Sequence, residues 1–437
     1  MRLVFAILLA AAAVLAGPDR KQLEAFGVRW WKARPKNKFH EWDPAVRQAL
    51  LEEVRAFGPL PEGSLKSVRD ALWKSVKKYG PRGGKGKLFI KDHGYKSGYT
   101  NDEMWANVKG AGKRKGLVMS LHGGGEGAGG ADTNWSLKGC MTIGPQGLLI
   151  HGDNWNRVHG EKQILSLIEI AKAQWDVDPD RVFVMGFSMG GTGSWHMAGR
   201  FPDLFAGAAP CNGVLMANPV SQVQTKEEVM SIQYGLLPNV YNLPVYFCTG
   251  SVDKNCRPGT FLYGWDEIQQ LREEYPDGYR KIRFEYHLGV AHAFGPGQPG
   301  KALKWLAEQR RDSFPKKIVW EYAANPHPLP DEKDTTRRYQ KHYFYWIRHD
   351  RPADRMEIIA TRAGNEFDVS IIGAENEGLY VMLNPQMIDV KEEVVVRLEG
   401  KEIYRGKPVP DVATIVESLD SKLDKTLTFD RKVPCWK

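Results

Sequence analysis

A serine flanked by glycines is the clearest chemical feature of the sequence. The run Gly186-Phe187-Ser188-Met189-Gly190-Gly191 follows a short apolar stretch that ends at Met185 and precedes a helical pattern that continues to Arg200. A serine on a tight strand-to-helix turn has a strained backbone, and glycines on both sides relieve crowding there. A helix-capping serine in a glycine-rich turn is the alternative, but the strand before it and the helix after it favour catalysis. We therefore predict that Ser188 is a nucleophile.

Such a serine needs a base to take its proton and an acid to orient that base. A predicted strand, Leu243–Cys248, leads into Asp253, and the next, Ile282–His287, leads into His292. Loops at the same ends of two successive strands meet at one edge of a sheet, so we predict that Asp253 and His292 complete a triad. Three rivals lie within a strand or on a helix, where structural roles fit better: His287, Asp266 and Glu267.

Acyl transfer also needs backbone N–H groups that stabilise the developing oxyanion. His122-Gly123-Gly124-Gly125 directly follows the predicted strand Gly116–Leu121, and Met189 directly follows the nucleophile. We predict that the backbone N–H groups of Gly124 and Met189 form the oxyanion hole. Two tryptophans, Trp135 and Trp155, lie in loops expected at this edge, where their rings would stack on substrate unless they serve as loop packing.

These loops require strands that alternate with helices. The predicted strands of this region are short apolar runs typical of buried strands: 116–121, 147–151, 181–185, 205–209, 243–248 and 282–287. Helical patterns, such as 161–175 and 265–275, lie between them. The alternation predicts a doubly wound, mostly parallel α/β sheet.

Regions of different character flank this sheet. In the lead-in, a helix begins at Asp43-Pro44, and Ser64 caps a second helix. After residue 315, strand patterns dominate, at 317–322, 343–348, 356–361, 367–372, 379–383, 394–398 and 402–405, with one helix at 409–419. We predict a helical lead-in at 17–86, a catalytic domain at 87–315 and a small β-rich domain at 316–437.

Composition and the first residues bound the setting. Of 437 residues, 42% are hydrophobic and 26% charged, which excludes a disordered or collagen-like chain. The formal charge of +9 is small for this length and belongs to no recognisable motif. Arg2 precedes an apolar run at 3–15, which is too short to span a bilayer as a helix, so we predict a signal peptide at 1–16. Export permits disulfides, and Cys248 and Cys256 are the nearest pair among five cysteines.

The segment from about residue 116 to 306 resembles secreted α/β-hydrolases of the polyhydroxybutyrate depolymerase and feruloyl esterase type, which are related to prolyl-oligopeptidase-like hydrolases. The resemblance rests on the run 177–191, on Phe201-Pro202-Asp203-Leu204-Phe205-Ala206-Gly207 and, more loosely, on the loop around His292. It implies an α/β-hydrolase fold in which Ser188 is the nucleophile, Asp253 the acid and His292 the base.

Three functions fit these observations. The first is hydrolysis of a carboxylic ester, of a feruloyl- or acetyl-polysaccharide or of a polyester, through an acyl-enzyme. The second is a serine peptidase of the prolyl-oligopeptidase type, although no blade repeats of a propeller are visible. The third is a polysaccharide- or surface-binding protein whose hydrolase domain is inactive. We expect an ester substrate, no metal or organic cofactor, no nucleic-acid partner, and no membrane association after signal cleavage.

Overall fold

The structure is a computed structural model that describes residues 18–84, 87–90, 104–112, 115–124, 135–146, 155–215, 237–323 and 339–436. The predicted signal peptide and the predicted strand at 147–151 lie outside these residues. Within the described ranges, no helix combines the length and the apolar character needed to cross a membrane.

A central sheet organises the middle of the chain. Its strands are β1 (Lys87–Ile90), β2 (Met104–Lys109), β3 (Gly116–Leu121), β4 (Cys140–Pro145), β5 (Val182–Phe187), β6 (Gly207–Cys211), β7 (Val245–Gly250) and β8 (Ile282–His287). They lie in the order β1-β2-β4-β3-β5-β6-β7-β8, and every pair from β4 to β8 is parallel. Strands β3, β4, β6 and β7 are buried along their whole length, as expected of strands covered on both faces. The predicted doubly wound, mostly parallel sheet is confirmed.

Helices cover this sheet and form the lead-in. In the described residues they are α1 (Arg20–Ala33), α2 (Pro44–Arg55), α3 (Leu65–Tyr79), α4 (Val158–Trp175), α5 (Met189–Arg200), α6 (Gly259–Glu274), α7 (Gly300–Ala307) and α8 (Val412–Lys422). Asp43 begins α2 as predicted, because its side chain accepts hydrogen bonds from the backbone of Ala45 and Val46. Ser64 occupies the predicted N-cap position of α3, but its hydroxyl donates to the carbonyl of Pro61 and does not cap the helix.

The C-terminal region contains two further sheets. One has the order β16-β15-β13-β12-β9 and the other β10-β11-β14-β17. Their strands are β9 (Lys317–Tyr322), β10 (Tyr343–Phe344), β11 (Ile347–His349), β12 (Met356–Ala363), β13 (Glu366–Ile372), β14 (Leu379–Leu383), β15 (Val394–Leu398), β16 (Lys401–Gly406) and β17 (Arg431–Pro434). The single strand predicted at 343–348 is wrong, because the chain reverses at Tyr345, where φ is 50°.

Helix α8 joins the two ends of the chain in one apolar core. It begins at residue 412 rather than at the predicted 409, since Asp411 caps it through the backbone N–H of Thr414. Its apolar side chains pack in one cluster with those of α1, α2 and α3, including Phe26, Trp30 and Leu72. The helical lead-in and the C-terminal region therefore bury each other's surface.

Buried ion pairs also connect the C-terminal region to the catalytic sheet. Asp203, just before β6, is fully buried and pairs with both Lys341 and Lys422. Asp424 pairs with Arg311 at 2.8 Å and with Lys172 of α4 at 3.0 Å. Burial alone would raise the pKa of Asp424, but the charges of Arg311 and Lys172 lower it well below its usual range. Charges buried in this way stabilise the fold only while their partners are present.

The five cysteines are buried and carry free thiols. Cys248 and Cys256, the nearest pair in the sequence, do not form a disulfide in this structure. Cys248 lies in β7 directly beside Cys211 of β6, whereas Cys256 lies in the loop that follows β7.

Candidate active site

The turn between β5 and α5 presents Ser188. Its backbone has φ 58° and ψ −122°, a conformation that L-residues rarely adopt and that stores strain at functional turns. Gly190 permits this turn, because a Cβ at that position would lie 2.0 Å from the carbonyl oxygen of Leu121. The glycine after the serine is thus required by the close passage of β3.

His292 lies between Ser188 and Asp253. Its Nε2 is 2.8 Å from the Ser188 Oγ, and its Nδ1 is 2.8 Å from the Asp253 Oδ2. The other carboxylate oxygen, Oδ1, accepts the backbone N–H groups of Asn255 and Cys256, each at 2.9 Å. The carboxylate is fully buried and the imidazole side chain is 20% exposed. A buried acid therefore orients a histidine that reaches the cleft.

Hydrogen bonds between the two loops hold the acid and the histidine together. The backbone N–H of Ser251 donates to the carbonyl of His287 at 2.9 Å, and that of Val252 donates to Val290 at 3.1 Å. The Ser251 hydroxyl accepts the backbone N–H of Gly289 at 2.8 Å. The loops after β7 and β8 thus act as one unit.

The residues predicted for the oxyanion hole lie beside Ser188. Met189 is the first residue of α5, and a Cβ added to Gly124 would lie 3.9 Å from the Met189 Cβ. The neighbouring Gly123 approaches the Phe187 carbonyl, to which an added Cβ would be 3.6 Å. The glycine-rich loop after β3 therefore lies against the nucleophile turn, with residues 125–134 outside the described part.

The predicted substrate contact of Trp155 is wrong. Its ring is fully buried, and its indole N–H donates to the carbonyl of His122 at 3.0 Å. The His122 ring packs edge-to-face against it with 4.8 Å between centroids. Trp155 supports the glycine-rich loop, because its buried ring packs against His122 and its indole N–H is bonded to the loop backbone.

Trp135 is also largely buried, but it packs against Phe294, an aromatic side chain that is partly exposed. Its ring contacts Phe294 at 5.7 Å, and Phe294 in turn contacts Phe187 at 4.6 Å. Phe187 packs on the His292 ring at 5.0 Å. Phe294 is 38% exposed, so an aromatic surface is accessible beside His292. Phe294 follows His292 by two residues but was not among the predicted substrate contacts.

Cys256 and Asn212 were also missed. The backbone N–H of Cys256 donates to Asp253 Oδ1 at 2.9 Å, and burial together with the charge of Asp253 raises the pKa of its thiol to about 12. Asn212 follows β6 and donates its amide to Asp253 Oδ2 at 3.3 Å. Neither belongs to a recognisable motif, because only the approach of separate strand ends brings them to the site.

Other histidines have structural contacts. His196 of α5 lies 2.9 Å from the carboxylate of Glu161 in α4, and Arg200 pairs with the same carboxylate at 2.7 Å. Among the described residues, no three or more His, Cys, Asp or Glu side chains are grouped so as to hold a metal ion. These charged groups fix α5 against α4 at a distance from the strand ends.

Comparison with known proteins gives matches over the central region. Residues 150–316 match the dienelactone hydrolase family. Over 115 residues the chain is 33% identical to poly(3-hydroxyalkanoate) depolymerase C of Paucimonas lemoignei, covering 22% of this chain and 27% of that relative. The chain thus spans about a quarter of the length of this curated relative. The family match and the sheet topology identify an α/β-hydrolase fold, and the central region is similar to parts of dienelactone hydrolases and of this depolymerase.

Solved structures with similar regions include an acetyl xylan esterase from Aspergillus awamori, with 18% identity, a TM-score of 0.38 and coverage of 51% of this chain and 98% of that chain. Porphyromonas gingivalis dipeptidyl peptidase 4 has 14% identity, a TM-score of 0.38 and coverage of 56% of this chain and 37% of that chain.

Proposed function

We propose that this α/β hydrolase cleaves carboxylic esters through an acyl-enzyme formed on Ser188. The observation that carries the proposal is the continuous hydrogen-bonded path from the Ser188 hydroxyl through His292 to Asp253, with both links at 2.8 Å. Nucleophile, base and orienting acid in this order are the parts that acyl transfer requires.

The chemistry follows from this path. The Ser188 Oγ attacks the carbonyl carbon of the ester while His292 Nε2 takes the hydroxyl proton. The N–H groups of Gly124 and Met189 stabilise the oxyanion of the tetrahedral intermediate. As the intermediate collapses, His292 gives its proton to the leaving alcohol, and the acyl group remains on Ser188. Water then attacks the acyl-enzyme by the same route, releasing the carboxylic acid and restoring the serine.

The aromatic side chains beside His292 support an ester with an apolar or aromatic acyl group. Phe294 and Phe187 lie in contact with each other next to the nucleophile, and Phe294 is partly exposed. The proposed substrates are feruloyl or acetyl esters of a polysaccharide, or a polyester. The name of the depolymerase relative suggests the polyester. With the signal peptide predicted from the sequence, we propose that the protein acts outside the cytoplasm.

A fluorophosphonate probe tests the nucleophile. We expect the probe to label the wild-type chain and the control variant Ser67→Ala, which changes an exposed serine of α3, but not Ser188→Ala. Labelling that persists in Ser188→Ala would contradict the proposed mechanism.

A substrate panel tests the bond. Short acyl esters, feruloyl sugars, polyhydroxybutyrate and prolyl peptides should be compared for the wild-type chain and Ser188→Ala. We expect turnover of esters that Ser188→Ala lacks. Cleavage of the peptides with no ester turnover would instead assign a serine peptidase, and no turnover of either class with no labelling would support a binding role.

A further inference from the structure

We propose that Asn212 is a positioning residue for Asp253, and that the end of β6 thereby holds the nucleophile and the acid in register. The inference rests on the proposed ester hydrolysis at Ser188. It concerns a residue that the substrate does not touch, because Asn212 is fully buried.

The end of β6 contacts the nucleophile turn through its backbone. The N–H of Ser188 donates to the carbonyl of Cys211 at 2.9 Å. Phe187 and Cys211 are register partners where β5 pairs with β6. The strained backbone of Ser188 is therefore held by the residue that directly precedes Asn212.

The side chain of Asn212 contacts the acid. Its Nδ2 donates to Asp253 Oδ2 at 3.3 Å, and the same oxygen accepts the proton of His292 Nδ1 at 2.8 Å. With two backbone N–H groups on the other oxygen, the carboxylate has donors on both sides. Hydrogen bonds to both oxygens prevent rotation of the carboxylate about the Cβ–Cγ bond of Asp253, so the oxygen that faces His292 stays in place.

The surroundings of Asn212 require this residue type. Its backbone has φ 44°, in the left-handed region that asparagine tolerates better than most residues. Its N–H donates to the carbonyl of Cys248 at 2.9 Å, and its Oδ1 lies 3.9 Å from the Cys248 thiol. The thiol is a donor to Oδ1, which leaves the amide nitrogen for the carboxylate.

Loss of the amide donor should therefore slow the chemical step without weakening substrate binding. His292 depends on Asp253 for its tautomer and its direction toward Ser188. A side chain that does not reach the cleft makes no contact with bound substrate. We therefore expect KM to stay nearly unchanged while kcat falls.

Two variants of the full chain test the proposal. Asn212→Gly removes the donor and relieves the left-handed backbone, and Asn212→Asp keeps the size but replaces the donor with an acceptor. We expect kcat to fall about 10- to 100-fold in both at pH 8, with KM within about two-fold of wild type. Circular dichroism and active-site counting with the fluorophosphonate probe normalise kcat to folded enzyme.

Asn239→Ala is the matched control. Asn239 is a buried asparagine whose amide donates to the carbonyl of Gly199 at 2.9 Å, far along α5 from Ser188. We expect it to lower thermal stability while kcat per folded molecule stays within about two-fold of wild type.

The outcomes separate the two proposals. If kcat per folded molecule in both Asn212 variants stays within two-fold of wild type while Ser188→Ala is inactive, the positioning role is overturned and the proposed function stands. A KM that rises as far as kcat falls would also overturn it. If wild type hydrolyses no ester, the proposed function itself fails.

Discussion

Gly250 and Val290 approach each other so closely that a Cβ on Gly250 would lie 2.2 Å from the Val290 carbonyl oxygen. Gly250 ends β7 and precedes the loop of Asp253, whereas Val290 precedes His292. The same carbonyl accepts the backbone N–H of Val252 at 3.1 Å. The distance between the Asp253 loop and the His292 loop therefore depends on Gly250, because a side chain at this position would push the two loops apart.

Gly250→Ala should displace the histidine loop. The loop must move by about 1 Å to admit a methyl group, and a misplacement of that size costs about 100-fold in rate. We expect kcat to fall by about that factor while the fold is retained, as measured by ester hydrolysis and circular dichroism. Gly300→Ala is the control, because nothing lies within 4 Å of its Cβ position. An unchanged kcat in Gly250→Ala would show that the loop does not set the geometry.

Phe294→Ala should change the preference for the acyl group. Phe294 presents its ring beside Phe187 and the His292 imidazole. Removing a ring contact worth about 1 kcal/mol raises KM for a feruloyl ester by about five-fold, but changes KM for an acetyl ester of the same alcohol by less than two-fold. Leu288→Ala, which removes a side chain that is 81% exposed, is the control. Equal changes for both esters would exclude an acyl-binding role for Phe294.

Cys256 should be inert toward alkylation although its backbone N–H contacts Asp253 at the proposed active site. Burial and the nearby Asp253 carboxylate raise the pKa of its thiol to about 12, so at pH 8 only about one molecule in 10,000 carries the thiolate. We expect iodoacetamide at pH 8 to leave ester hydrolysis of the native chain unchanged over an hour. Rapid inactivation that Cys256→Ala abolishes would show that the thiol is ionised.

Asp203→Asn should destabilise the fold in a pH-dependent way. Burial alone would raise the pKa of Asp203, but the charges of Lys341 and Lys422 outweigh it and lower this pKa to about 2. The unfolded value is about 3.9, so the stabilisation is complete above it and is lost as the pH falls through about 2.

Urea denaturation measures this difference in the free energy of unfolding. Burial lowers the pKa of Lys341 to about 7, so both lysines are charged at pH 5. Leaving them without their partner costs about 3 kcal/mol, and we expect that difference from wild type at pH 5. At pH 3 the difference should shrink by about 1 kcal/mol. Asp277→Asn, at an exposed pair with Arg280, is the control and should stay within about 0.5 kcal/mol. A difference that grows toward pH 3 would contradict the assignment.

Removal of residues 316–437 should abolish folding rather than release an accessory domain. The deletion takes away α8, which packs with α1 to α3, and both lysine partners of Asp203. We expect the truncated chain to be insoluble or to lack a cooperative thermal transition. The full chain carrying Leu419→Ala, a single cavity in the same cluster, should remain folded with a lower transition temperature. A soluble truncated chain with the wild-type transition would show that the regions fold separately.

Local sequence patterns were sufficient for the strands that lead into the site. Strands β3 and β8 have the predicted bounds. Strands β5, β6 and β7 begin and end within two residues of their predicted bounds. Fully buried parallel strands are continuous apolar runs, which makes them visible without any partner. The buried strand β4 was missed because Thr142, Gly144 and Pro145 interrupt its apolar run. The antiparallel strands β1 and β2 were missed because the pairing that defines them depends on distant residues.

The side chains at the ends of those strands follow from the local sequence: Ser188 after β5, Asp253 after β7 and His292 after β8. Motif and strand order are local properties, so no folded neighbour is needed to read them. How those strand ends approach one another depends on the fold. It brought His292 within 2.8 Å of both partners, placed Asn212 on the far side of Asp253, and buried Trp155 beneath the glycine-rich loop. These relationships come from close packing between strands and loops far apart in the chain, and short-range patterns carry no record of them.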